Sequence, residues 1–169
     1  KGSFPTDKIL KYLIQIIFGL KYLHHNNIIH RDIKCSNIFL DQYDNIKIGD
    51  FGTSKILTEY LDYGKTQIGT PYYMAPEIFK RIRYTYKVDI WSLGIVLYEL
   101  ITLDVPFKGY NIIDLKNNIL SGVYNKVSLN FNLELKSILI SLLSNNSYIR
   151  PSITELFTNN ILKKKIAYL

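Results

Sequence analysis

His30-Arg31-Asp32-Ile33-Lys34-Cys35-Ser36-Asn37 is the stretch on which the reading of this chain turns. A carboxylate, Asp32, is followed closely by a cation, Lys34, and a carboxamide, Asn37. Further along come Asp50-Phe51-Gly52 and then Ala75-Pro76-Glu77. Taken singly, each piece is bland: His-Arg-Asp is often a surface ion pair, Asp-Phe-Gly a common turn, and Ala-Pro-Glu a helix start with proline in the first turn. All three in this order, with Lys34 and Asn37 at their offsets, make coincidence a poor account.

Working outward, Ile38 to Leu40 and Ile46 to Ile48 read as short strands. Asp41, Gln42, Tyr43, Asp44 and Asn45 join them with turn chemistry, so a small hairpin is expected. Upstream, Ile9, Leu10, Leu13, Ile16, Ile17, Leu20 and Leu23 recur on one helical face, which predicts a helix from about Asp7 to His25. Thr6 is the expected N-cap, and Asn26 and Asn27 the stop. From Asp50 to about Glu77 no periodicity is sustained, and a structureless loop of that length is usually functional. Lys87 to Leu103 is apolar on nearly every side and reads as a central buried helix. Weaker helices are expected at Ile112 to Leu120, Leu133 to Leu143 and Ile153 to Asn159, with Pro151 and Ser152 starting the last. The fold class is therefore mainly α with a small β-hairpin, in one unit over 1–169.

Composition agrees with a folded domain. The chain has 169 residues, of which 47% are hydrophobic and 21% charged, and the mean hydropathy is +0.02. Disorder is excluded. No apolar run approaches the roughly 20 residues that cross a bilayer. The single cysteine, Cys35, excludes an internal disulfide and suits a reducing, intracellular setting, cytoplasmic or nuclear. It is expected to be a small packing residue. The net charge of +7 allows attraction to phosphates or acidic partners. Nothing but that charge points to nucleic acid, since the basic residues are scattered apart from Lys80, Arg81 and Arg83 and Lys163 to Lys165.

The three motifs resemble the catalytic loop, the metal-binding tripeptide and the closing motif of eukaryotic protein kinases. The likeness extends over nearly the whole chain and is to the C-terminal lobe, with a catalytic loop at 30–37 and an activation segment at 50–77. Lys34 in its loop and Gly69-Thr70-Pro71-Tyr72-Tyr73 resemble the serine/threonine type. Asn37-Ile38-Phe39-Leu40, Lys47-Ile48-Gly49-Asp50-Phe51-Gly52 and Gly69-Thr70-Pro71-Tyr72-Tyr73-Met74 together resemble the NIMA-related kinases.

The resemblance implies a chemistry. Phosphoryl transfer asks the protein chiefly for positioning and charge neutralisation. Asp32 would orient the substrate hydroxyl and accept its proton, Lys34 would offset charge on the transferring phosphate, and Thr70 would bridge the two. Asn37 and Asp50 would supply oxygen ligands to Mg²⁺, with Mn²⁺ the alternative ion, and Phe39 would floor the adenine of ATP. Protein substrates bearing Ser or Thr follow. His30 and Phe51 would belong to an apolar stack, Asp89 would accept backbone N–H groups of the catalytic loop, and Arg150 would pair with Glu77. Arg31, directly before Asp32, implies regulation by a phosphate on the activation segment, placed there by an activating kinase or by autophosphorylation. Thr66 is the first candidate site, with Thr53, Ser54 and Thr58 as alternatives.

The chain also departs from the family pattern. No glycine-rich loop and no Val-Ala-Ile-Lys match occurs in it, so the sequence reads as a lobe whose N-terminal partner is absent, poor in ATP binding when isolated. A lobe-only scaffold or pseudokinase-like module is the competing reading. The intact Asp32, Asn37 and Asp50 weigh against it.

Overall fold

The apolar stripe of the first helix meets a second, more thoroughly buried helix, and the rest of the structure is arranged around that contact. The computed structural model describes residues 4–56, 71–125, 127 and 131–166. Helix α1 (Thr6–His25) buries Ile9, Leu13, Ile16, Ile17 and Leu20. Its first turn holds Asp7, whose negative charge suits the helix dipole, and its last holds His24 and His25. Strand β1 (Ile28–Ile29) follows, then the loop carrying Asp32, then a 3₁₀ turn at Cys35–Asn37. The hairpin forms where the sequence places it: β2 (Ile38–Leu40) and β3 (Ile46–Ile48) pair antiparallel, with Ile38 opposite Ile48 and Leu40 opposite Ile46.

The hairpin is tied to α1 by polar contacts as well as by packing. Gln15 Oε1 accepts the Ile46 N–H at 2.8 Å, and the Tyr12 hydroxyl and the Lys8 and Lys11 ammonium groups converge on Asp44 in the turn. These contacts pull the Asp44 carboxyl down to about 2, the Tyr12 hydrogen bond most of all and the lysines after it.

Helix α2 (Pro76–Phe79) has Pro76 in its first turn. Helix α3 (Lys87–Thr102) is buried on nearly every side and ends at Leu103, which adopts φ 58°. Gly94 lets α5 (Leu133–Leu142) approach α3, since a Cβ there would lie 2.7 Å from Leu143 Cδ2 and 2.9 Å from Leu142 Cβ. Helix α4 (Ile112–Ser121) is capped by Asn111, and α6 (Ile153–Thr158) begins with a reciprocal Ser152–Glu155 capping box. Helix α7 (Asn160–Ile166) returns toward α1, where Lys165 pairs with Asp7 at 2.9 Å.

Four expectations need correction. Thr6 is not the cap: it is already helical, Pro5 precedes it, and no side chain caps the end. The stretch after Asp50 is not wholly structureless, because β4 (Lys55–Ile56) pairs antiparallel with β1 and Pro71–Tyr73 forms a 3₁₀ turn. Two-residue strands carry no periodicity, so only their pairing reveals them. Helix α7 has no counterpart in the sequence reading, whose last helix ends at Asn159. Cys35 is exposed rather than packed. Thr58, Thr66, Gly69 and Thr70 lie outside the described residues. Among the described residues no helix is long and apolar enough to cross a membrane.

Candidate active site

Asp89 organises the site although it lies remote in sequence. Fully buried in the first turn of α3, its carboxylate accepts the backbone N–H of His30 at 2.9 Å and of Arg31 at 2.8 Å, and the His24 Nε2–H at 2.9 Å. Arg31 has φ 68°, a left-handed conformation that is uncommon for a side-chain-bearing residue and is held here by Asp89. The chain thus turns sharply just before Asp32.

His30 links the loop to the start of the Asp50 tripeptide. The Asp32 N–H donates to His30 Nδ1 at 3.3 Å, so Nε2 carries the proton and donates to the Gly49 carbonyl at 3.0 Å. The Gly49 N–H in turn donates to the Asn37 carbonyl at 2.9 Å. These bonds bring the segment entering Asp50 against the catalytic loop, although the two are separated by the hairpin. Phe51 rests on the His30 ring with centroids 5.0 Å apart.

Asp32 itself is buried and asymmetric. Lys34 Nζ lies 2.7 Å from its Oδ2, and Asn37 Nδ2 donates to the same oxygen at 3.0 Å and to the Asp32 carbonyl at 2.8 Å. Among the described residues no hydrogen bond is made to Oδ1. The same bonds commit the amide nitrogen of Asn37 and leave its oxygen as the side chain's acceptor. Asp50 is exposed at φ 57° and among the described residues takes only the Gly52 N–H, at 3.3 Å.

Asn37 and Asp50 therefore offer two hard oxygen donors. Among the described residues no cluster of three His, Cys, Asp or Glu could hold a metal. Two oxygen ligands fit Mg²⁺, which completes its shell with waters and substrate phosphates. Phe39 is 54% exposed on β2. Gly49 lets its ring lie close against the backbone, since a Cβ there would be 2.7 Å from Phe39 Cε2.

At the far end, Arg150 Nη2 pairs with Glu77 Oε2 at 2.5 Å, both side chains being buried. Its Nη1 donates to the Lys87 carbonyl at 2.6 Å and its Nε to the Ser144 carbonyl at 2.9 Å. One guanidinium thus joins α2, the start of α3 and the loop before α6. Thr53 and Ser54 both direct their hydroxyls at the His30 carbonyl, at 3.2 and 3.4 Å.

Three contributors escaped the sequence reading. His24 buttresses Asp89, and its signal was available: it continues the inward stripe of Leu20 and Leu23. Glu99 accepts from the Tyr73 hydroxyl at 2.5 Å and from Cys35 Sγ at 3.0 Å, joining the catalytic loop to the segment before α2. Although Cys35 is exposed as a residue, the protein packed around its sulfur first and the Glu99 carboxylate second push the thiol up to about 12, and the same two causes raise Tyr73. Nothing local in the sequence predicts that convergence. The third, Tyr84, touches Arg31.

The arrangement matches a known family model. Residues 1–162 fit the protein kinase domain. The chain belongs to the protein kinase family. Among similar proteins are the serine/threonine-protein kinases Nek1 of Mus musculus, 41% identical over 98% of this chain, and Nek5 of Homo sapiens, 44% identical over 95%. Nek2 of Homo sapiens is 37% identical over 94%. These likenesses make this kinase chain a NIMA-related member of the family. It spans 14% of that Nek1, 22% of that Nek5 and 37% of that Nek2, so it corresponds to a minor part of each relative.

Proposed function

We propose that this chain is the catalytic-loop-bearing C-terminal lobe of a serine/threonine protein kinase, which transfers the γ-phosphate of ATP to Ser or Thr hydroxyls of proteins inside the cell. The observation that carries this reading is the state of Asp32: Oδ2 is held by Lys34 and Asn37, and among the described residues no hydrogen bond is made to Oδ1. An acceptor hydroxyl at Oδ1 is oriented for in-line attack and gives up its proton to that oxygen as the new P–O bond forms. Lys34 stays beside the transferring group and offsets its charge. Asn37 and Asp50 would hold a divalent ion, which would supply neutralisation of the nucleotide phosphates. Phe39 supports the adenine face. On the family resemblance Thr70 would bridge Asp32 and Lys34, and Thr66 is the first candidate for the phosphorylation site that Arg31 would read.

The test uses the full-length protein and labelled γ-phosphate transfer to casein or myelin basic protein with Mg²⁺. Wild type should transfer, while Asp32→Asn and Asp50→Ala should lose at least about a hundredfold in rate with the fold intact by circular dichroism. No transfer from folded, loop-phosphorylated wild type would overturn the reading in favour of a pseudokinase scaffold.

A further inference from the structure

The cations of the site are not equivalent. Lys34 is paired with Asp32 and Arg150 with Glu77, whereas among the described residues Arg31 meets no carboxylate. Its side chain is held by two uncharged oxygens instead: Nε donates to the Thr53 carbonyl at 2.6 Å and Nη1 to the Tyr84 hydroxyl at 3.4 Å. A guanidinium has five N–H donors in a rigid fork. These two contacts fix its plane and leave the remaining donors and the whole positive charge for an anion.

We propose that Tyr84 is a positioning residue for phosphate capture by Arg31. Tyr84 is buried, 3% exposed, and lies just ahead of α3, the helix whose Asp89 holds the Arg31 N–H. Backbone and guanidinium of Arg31 are thus set from α3 and the residues just ahead of it, the first through a carboxylate and the second through a phenol. A carboxylate in place of the phenol would orient the fork equally well but would neutralise it. A hydroxyl orients without competing for the charge. Arg31 binds the segment phosphate with its side-chain ordering already complete, which lowers the entropy lost on capture. The inference rests on the regulatory reading of Arg31 given above.

Tyr84→Phe keeps the ring and deletes only the oxygen. The experiment takes the full-length kinase in loop-phosphorylated and phosphatase-treated forms, with phosphate occupancy checked by mass spectrometry and folding by thermal melting. The readout is the ratio of the two activities, in wild-type and Arg31→Ala backgrounds. In the wild-type background Tyr84→Phe should lower that ratio about three- to tenfold, the scale of one ordinary hydrogen bond and in keeping with a contact of 3.4 Å, with the KM for ATP unmoved. In the Arg31→Ala background it should change nothing further. An undiminished ratio, or the same loss in both backgrounds, overturns the role of Tyr84. An Arg31→Ala kinase that keeps its full dependence on loop phosphate overturns the regulatory reading of Arg31 itself, and the role of Tyr84 with it.

Discussion

Asp89 Oδ1 lies 2.8 Å from the backbone nitrogen of Arg31, a residue at φ 68°. Its other oxygen takes the His30 N–H and the His24 ring. One fully buried carboxylate therefore holds the turn that delivers Asp32. Asp89→Asn keeps the shape but sets an NH₂ group against one of these donors. The variant should lose about 2–3 kcal/mol, the cost of leaving a buried donor unmet, read as a lowered urea midpoint. A midpoint equal to that of wild type would show that the turn holds without the carboxylate.

Arg150 and Glu77 are buried partners, and removing one strands the other. Arg150→Met leaves the Glu77 carboxylate without its cation and should cost about 3–5 kcal/mol. Glu77→Leu combined with Arg150→Met should recover much of that loss, because no charge is then left buried. Thermal melting of the single and double variants measures both. A double variant as unstable as the single would mean that the three carbonyl and carboxylate contacts of Arg150, rather than its charge balance, carry the stability.

Acid should loosen the hairpin before the core. The Asp44 carboxyl is held near 2, below its ordinary value near 3.9. A lowered native value means that the ionised form is the one folding favours, so its contribution is complete above about pH 4 and disappears as pH falls through about 2. Asp44→Asn should therefore be less stable than wild type at pH 6 and indistinguishable from it near pH 2. Unfolding curves at the two pH values decide it, and an equal gap at both would remove Asp44 as the cause.

Cys35 sits in the loop between Asp32 and Asn37, and its thiol is held up to about 12. Since the thiolate is the nucleophile, alkylation by iodoacetamide at pH 8 should be at least about tenfold slower in the native protein than in the urea-unfolded chain. Glu99→Gln removes the second cause of the shift and should speed the native reaction. Native labelling as fast as unfolded labelling would contradict the Glu99 contact.

Much of this molecule was legible in the sequence because its signals are local. The β2–β3 hairpin appears with its expected strands since alternating apolar residues flank a run of turn formers. Helix α3 is readable because apolar residues on every side leave a soluble chain no alternative to burial. Asp32, Lys34 and Asn37 are grouped within six positions of one another, so a single loop brings them together. β1 and β4 were not legible, because two residues carry no period and each strand exists only through the other.

By itself, the sequence determined the inventory: a mainly helical chain, a hairpin, a loop of catalytic character and an aspartate at the head of a buried helix. These follow from propensity, periodicity and the order of chemical groups, which act over a few residues. Only the tertiary structure decided which groups share an atom. The tautomer of His30 is set by Gly49, the turn at Arg31 by Asp89, the thiol of Cys35 by Glu99 and the guanidinium of Arg31 by Tyr84. Each is a hydrogen bond between residues far apart in the chain. Such a bond depends on distances of a few tenths of an ångström, which packing sets and local sequence does not.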